Sequence, residues 1–287
     1  AAYFSACNRN KRSVTIDFST EDGADLVRKL AQKADIVIEN FKPGGLKKYG
    51  LDYVSIAAIN PGIIYCSITG FGQTGPYSHR SGYDFLIQGM GGLMSITGQP
   101  DGSPGSAPMK VGVAVCDLFT GMFAANAALA ALHYRARTGK GQHIDCALLD
   151  SQISMLANQS ANWLNAEMCP GRMGNSHPSV VPYTVYRARD GFVIVACGND
   201  KQFIRLTAAL AVPDLADHAD FATNEMRIKN REQLDGILAD IILKMDRQQL
   251  IETLEAAGVS CGPINNISEV FADRHVQARG ARIDQWR

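Results

Sequence analysis

The chain has 287 residues, 46% of them hydrophobic, enough for one large domain or two ordinary ones. Its formal net charge is zero, so neither a nucleic acid nor a membrane surface is an expected partner. Seven cysteines, an odd count without a CxxC pair, argue against a zinc site and a disulfide framework, and for buried thiols in a reducing compartment.

No secretory leader opens the chain, so the cytoplasm is the expected location, or an organelle matrix if a targeting segment has been removed. Ala1-Ala2-Tyr3-Phe4 lacks an initiator Met, and Ile283-Asp284-Gln285-Trp286-Arg287 ends without a finishing element. Sequence is expected to be missing on both sides. Residues 13–18 read as a strand. Ser19-Thr20-Glu21-Asp22 then opens a helix, with Ser19 as cap, Asp22 three residues on, and Leu26, Val27, Leu30 and Ala31 as the apolar stripe. Residues 35–39 are a continuous apolar strand of the kind that suits a parallel sheet covered on both faces. Strand, helix, strand at this spacing is a βαβ unit. The loop Asn40-Phe41-Lys42-Pro43-Gly44-Gly45 leaves the strand's carboxyl end, where ligands bind in open α/β sheets. Lys42, Lys47 and Lys48, with Arg9, Lys11 and Arg12, are candidates to neutralise phosphates; ordinary solvated cations are the plainer reading.

Residues 63–68 form the next strand and run into Thr69-Gly70-Phe71-Gly72-Gln73-Thr74-Gly75-Pro76. No helix follows directly, so this is no dinucleotide fingerprint; its glycines permit close backbone approach to a ligand or another segment. A helix runs from Gly82 toward Gln88, and residues 89–105 form a loop around a short helical piece. From Met109 an apolar, β-branched run reads as a strand that ends at Asp117, where a helix begins and continues from Leu118 to about His133. The unpaired N–H groups and positive end of that helix favour the ionised form of Asp117. An ionised carboxylate held there is a competent nucleophile toward an acyl group; the alternative is a plain N-cap. The stretch 118–132 reads as a buried core helix and not a membrane span.

Thr138-Gly139-Lys140-Gly141-Gln142 is a tight turn, 142–147 a strand and 149–164 a helix. His143 has no neighbouring ligand set and reads as structural or exposed. Residues 168–177 form a linker. Strands at 182–186 and 192–197 flank the hairpin turn Arg189-Asp190-Gly191, followed by helices at 200–210, 226–245 and 247–257 and an extended segment at 259–265. The expected domains are a large α/β domain over 1–177, a smaller α+β domain over 178–272, and the start of a return segment over 273–287.

Several stretches, in order along nearly the whole chain, resemble the class III CoA-transferases, the formyl-CoA transferase and carnitine CoA-transferase group. They are Asn8-Arg9-Asn10-Lys11-Arg12-Ser13, Glu39-Asn40-Phe41-Lys42-Pro43-Gly44, Gly70-Phe71-Gly72-Gln73-Thr74-Gly75-Pro76, Gly82-Tyr83-Asp84, residues 112–121, Thr138-Gly139-Lys140-Gly141-Gln142 and Gly262-Pro263-Ile264-Asn265. The resemblance implies a Rossmann-like parallel sheet with helices on both faces, a smaller α+β domain, and an interlocked homodimer. It implies CoA as the acyl-carrying substrate, a small carboxylic acid as the other, no metal, and Asp117 as the residue that attacks the thioester. By motif position it places Asn40, Phe41, Lys42 and Lys48 at CoA and its phosphates. It places Ile16, Asp17, Phe18 and Ser19 near the adenosine, and Tyr83 and Asp84 near the pantetheine arm.

The α-methylacyl-CoA racemases are similar too, but they carry a His where Tyr83 stands, and a phenol is a poor proton acceptor at neutral pH. A racemase-like epimerase is therefore the second reading, and a non-catalytic acyl-CoA-binding homologue the third. Two features depart from the formyl-CoA branch: the family's first strand is absent, and so is the glycine run over the active site. Ser176-His177-Pro178-Ser179-Val180-Val181-Pro182-Tyr183 and Gly198-Asn199-Asp200-Lys201-Gln202-Phe203 look closer to the branch acting on dicarboxylates such as succinate and glutarate. His177 is a candidate to face the acceptor carboxylate.

Overall fold

The computed structural model describes residues 2–283. Residues 284–287 of the expected return segment lie outside them. The chain divides into two compact units, 1–172 and 173–287.

In the first unit β1 (Ile36–Glu39), β2 (Ile64–Thr69) and β3 (Gln142–Ala147) form a parallel sheet in that order. Val37 pairs with Tyr65 and Tyr65 with His143. Helices α1 (Ala2–Cys7) and α2 (Glu21–Lys33) precede the sheet. A 3-10 turn at Lys47–Tyr49 and α3 (Tyr53–Ile59) connect β1 to β2. The second crossover contains α4 (Asp84–Met90), a 3-10 turn at Leu93–Ser95 and α5 (Val115–Thr138). After β3 come α6 (Leu148–Met155) and α7 (Ala157–Ala166).

Alternation of side chains along the central strand decides what covers each face. Tyr65 packs with Ala31, Leu46, Leu51 and Ile56 on the α2–α3 side. Ile64 and Cys66 pack on the other side, against Ala124, Ala128 and Ala131 of α5. Small residues at this helical spacing let α5 lie close on the sheet. Its opposite face is open: Leu118, Met122 and Leu129 are 59%, 66% and 65% exposed. The expectation of a helix buried all round is thus corrected. By length and composition α5 would also cross a membrane, but its small-residue stripe is spent on the sheet. Likewise Ile38, read as covered on both faces, is 64% exposed: Ile36 on the same face packs against α5, whereas Ile38 belongs to none of the described core clusters.

Two expected strands are absent. Residues 13–18 are an irregular segment with no ladder partner, and the helix after it is capped by Thr20, one residue beyond Ser19. Residues 109–117 are not a strand either: α5 starts at Val115, so Asp117 lies inside its first turn. The Met109 N–H donates to the Thr97 carbonyl and the Val111 N–H to the Gln88 side chain, so loop and side-chain acceptors replace a ladder.

The second unit holds an antiparallel sheet of β4 (Tyr183–Ala188), β5 (Gly191–Ala196) and β6 (Ser260–Pro263). Its helices are α8 (Asp200–Ala209), α9 (Asp214–Asp217), α10 (Asn224–Lys229), α11 (Arg231–Ile242), α12 (Arg247–Ala256), α13 (Ile267–Ala272) and α14 (Arg274–Ala278). Val193, Val195, Phe203, Leu206, Leu234, Leu238, Leu250 and Leu254 form its core. The hairpin turn falls at Arg189-Asp190, as the sequence indicates. The helix expected over 226–245 is interrupted at Asn230, whose side chain donates to the Asp220 and Met226 carbonyls.

Candidate active site

Loops at the carboxyl ends of β1 and β2 meet the start of α4. The Asn40 side chain donates to the Ile68 carbonyl at 2.6 Å and ties the first loop to the end of β2. Glu39 accepts the Phe41 N–H at 2.7 Å. Gly70 and Gly82 touch backbone to backbone: a Cβ on Gly70 would sit 2.5 Å from the Gly82 Cα. The glycine-rich loop therefore serves close approach to another segment of the chain. The result is an open groove of about 210 Å³ lined by Asn40, Phe41, Lys42, Thr69, Arg80 and Tyr83, among others. Tyr83 is 80% exposed and presents nearly its whole side chain.

The residues expected at the adenosine gather beside this loop. Phe18 packs edge-on against Phe41 and Tyr49, at 5.7 and 5.4 Å between ring centres. The Lys48 ammonium lies 4.6 Å from the centre of the Tyr49 ring. An aromatic platform with one adjacent cation suits a purine and a phosphate. Asp17 is occupied locally: its carboxylate accepts from the Ser19 hydroxyl at 2.6 Å and N–H at 3.0 Å, which hold it below the usual carboxylate range. That leaves Asp17 and Ser19 shaping the turn into α2, with Ile16 partly buried just before it. Arg9, Lys11 and Arg12 are exposed, and no polar contact among the described residues joins them to the groove. Lys47 faces a second cavity, lined also by Tyr53, Ser67, Gln73 and His143. His143 is a structural residue there, stacked on Tyr53 at 4.7 Å and 3.0 Å from the Ser67 hydroxyl.

Asp117 lies one residue from a junction of two helices. The N-cap of α5 is Ala114, which has no side-chain acceptor. The missing cap comes from α4, where Asp84 Oδ1 accepts the Cys116 N–H at 2.8 Å. The Asp117 carboxylate accepts no hydrogen bond among the described residues. Much of it faces solvent, yet the protein around its carboxyl and the Asp84 charge together push it above the ordinary carboxylate range. The favourable helix start is thus opposed by the surrounding protein and by the like charge of Asp84. A more basic carboxylate is a stronger nucleophile once ionised. Next to it, burial and Asp84 push the Cys116 thiol up to about 12, so Cys116 stays a thiol at neutral pH and does not compete.

His177 lies in the second unit, partly buried. Its N–H donates to the Tyr183 carbonyl, its Nδ1 accepts the Ser179 N–H at 3.1 Å, and its carbonyl accepts from Arg231. These contacts hold its main chain and Nδ1 in a turn, and no hydrogen bond among the described residues engages its Nε2. Sequence reasoning passed over Arg80, which lines the groove with its guanidinium 4.6 Å from the Tyr77 ring centre and 5.2 Å from that of Phe71. Two aromatics shortly before an Arg in a loop that leaves a strand were the available signal.

The chain is similar to the succinate–glutarate CoA-transferase of Agrobacterium fabrum, 52% identical over 99% of this chain and 70% of that protein. It is similar to the succinyl-CoA:glutarate CoA-transferase of Mus musculus, 41% identical over 98% of this chain and 63% of that protein. The crystal structure of a CAIB/BAIF family protein from Brucella suis matches with a TM-score of 0.90 and 54% identity, over 99% of this chain and 74% of that one. The chain thus spans about two thirds of the length of the curated relatives it matches. A model of the family described as CoA-transferase family III matches residues 1–285. The chain belongs to CoA-transferase family III.

Proposed function

We propose that this protein transfers CoA from an acyl-CoA donor to a free carboxylate, a dicarboxylate by analogy with the substrates in the relatives' names. The observation that carries the reading is Asp117: a carboxylate without a hydrogen-bond partner in the first turn of a 24-residue helix, with its basicity raised. In the proposed sequence an Asp117 oxygen attacks the thioester carbonyl and CoA thiolate leaves, giving a mixed anhydride. The thiolate attacks the aspartyl carbonyl and releases the donor acid, leaving an aspartyl-CoA thioester. The acceptor carboxylate attacks that thioester and frees the thiolate again. Thiolate attack on the acceptor's acyl carbonyl then releases the new acyl-CoA and regenerates Asp117. At the α5 start the Val115 N–H donates to the Val113 carbonyl and the Cys116 N–H to Asp84, so of the first-turn donors the Asp117 N–H is the one left, among the described residues, to meet a developing oxyanion.

The Phe18–Phe41–Tyr49–Lys48 platform is proposed to hold the adenosine end of CoA, and the groove between Asn40 and Tyr83 its pantetheine arm. Tyr83 in place of a second base supports transfer over epimerisation. A second copy of the chain over the exposed Leu118–Met122–Leu129 face of α5 fits the expected homodimer and a Rossmann-like sheet continued by further strands. The four buried free thiols fit a reducing compartment such as the cytoplasm.

Incubation with succinyl-CoA, trapping with hydroxylamine or borohydride, and peptide mapping test the reading. A hydroxamate or reduced product at Asp117 is expected. No adduct with any of several acyl-CoAs, despite CoA binding, would sink it.

A further inference from the structure

We infer that Gln88 is a positioning residue for Asp117: its amide fixes the Asp84 carboxylate, and through it the first turn of α5. The inference rests on the reading of Asp117 as nucleophile. Gln88 is fully buried, and both ends of its amide are engaged. Its Nε2 donates to Asp84 Oδ2 at 2.6 Å, and its Oε1 accepts the Val111 N–H at 2.9 Å. The other Asp84 oxygen accepts the Cys116 N–H. One unbroken chain of hydrogen bonds therefore runs from the Val111 main chain through Gln88 and Asp84 to the Cys116 main chain. It clamps both ends of the segment 111–116 that feeds α5.

The clamp follows from chemistry at helical spacing. Asp84 and Gln88 are four residues apart on α4 and share a face. A carboxylate only accepts, so Gln88 must give its NH₂ to Asp84 and its oxygen to Val111. Without Gln88, Asp84 would keep only its contacts with Cys116 and gain freedom to turn about its own side-chain torsions. That motion would change both the seat of Asp117 and the charge facing it. The titratable groups at this junction are Asp84 from α4 and Asp117 with Cys116 from α5, and Asp84 supplies the charge that acts on Asp117. Packing alone would ask only for volume at position 88; the engaged amide asks for a donor and an acceptor in one orientation.

Two substitutions separate these roles. A protonated Gln88→Glu carboxyl reproduces the amide pattern, with O–H to Asp84 and C=O to Val111. Once ionised it sets a second carboxylate against Asp84 and has no donor. Transfer by Gln88→Glu is expected within about 3-fold of wild type near pH 5, and to fall at least about 10-fold behind it near pH 8. Gln88→Leu is expected to lose about 30-fold in kcat at every pH, with KM for acyl-CoA changed less than about 3-fold. Melting curves and CoA titration confirm folding. Amide hydrogen exchange of the 111–117 peptide gives a readout independent of turnover, and should quicken in Gln88→Leu. Parallel pH profiles for Gln88→Glu and wild type, or unchanged exchange in Gln88→Leu, would overturn the inference. A wild type that forms no Asp117 adduct would defeat the nucleophile reading instead, and the exchange result would still decide the clamp.

Discussion

Each unit of this chain centres a charged group on a different principle. In the second unit Arg227 is fully buried and fully engaged. It donates to the Val181 carbonyl at 2.7 Å, the Phe221 carbonyl at 2.9 Å and Asp200 at 2.7 Å, and lies 4.4 Å from the centre of the Phe203 ring. In the first unit the Asp117 carboxylate has no hydrogen-bond partner among the described residues and feels the like charge of Asp84. The first arrangement holds a fold together; the second is held by the fold at a cost. Polar groups that are buried and satisfied stabilise, whereas one left exposed and unsatisfied remains available for chemistry.

The largest expected effect breaks the second arrangement. Asp117→Asn should reduce transfer by about ten-thousand-fold while leaving CoA binding within about 3-fold, read by kinetics and calorimetric titration. Arg227→Met should break the first arrangement. Leaving two buried carbonyls and Asp200 unpaired should cost about 3 kcal/mol in chemical denaturation. Asp84→Asn removes the like charge, so Asp117 should ionise at lower pH, and the acid limb of Asp117 trapping should move to lower pH. A limb that moved to higher pH would contradict the stated role of Asp84.

The sign of a stability effect follows as well. A carboxyl raised above its unfolded value destabilises the fold when ionised, and costs nothing below the unfolded value near 3.8, where both states bind the proton. Asp117→Asn should therefore melt slightly higher than wild type at neutral pH in thermal denaturation, and the gain should vanish on acidification. The smallest effect concerns the platform: Lys48→Ala should weaken CoA binding by about 3-fold, and less at high salt.

The parts legible in the sequence were those fixed by local pattern. The β2 and β3 runs, the β4–β5 hairpin and the cap region of α2 all came within a residue or two, because apolar runs and turn residues decide them. Residues 13–18 and 109–117 have strand composition, but no neighbouring strand takes their hydrogen bonds, and composition carries no information about partners. Asp117 was legible as a residue. Its setting was not, because its helix is capped by Asp84, over thirty positions earlier in the chain. Gln88 escaped for the same reason: its hydrogen bond to Asp84 is local, but the one to Val111 is not.

The central claim is that an Asp117 oxygen enters the chemistry covalently, and oxygen labelling tests it most directly. A single turnover is run with an ¹⁸O-labelled dicarboxylate acceptor, and the Asp117 peptide is then weighed. When CoA thiolate attacks the acceptor's acyl carbonyl in the second anhydride, the bridging oxygen stays on Asp117. The account therefore predicts one ¹⁸O atom in that peptide and none in the peptide carrying Asp84. An unlabelled Asp117 peptide, recovered alongside labelled acyl-CoA product, would contradict it.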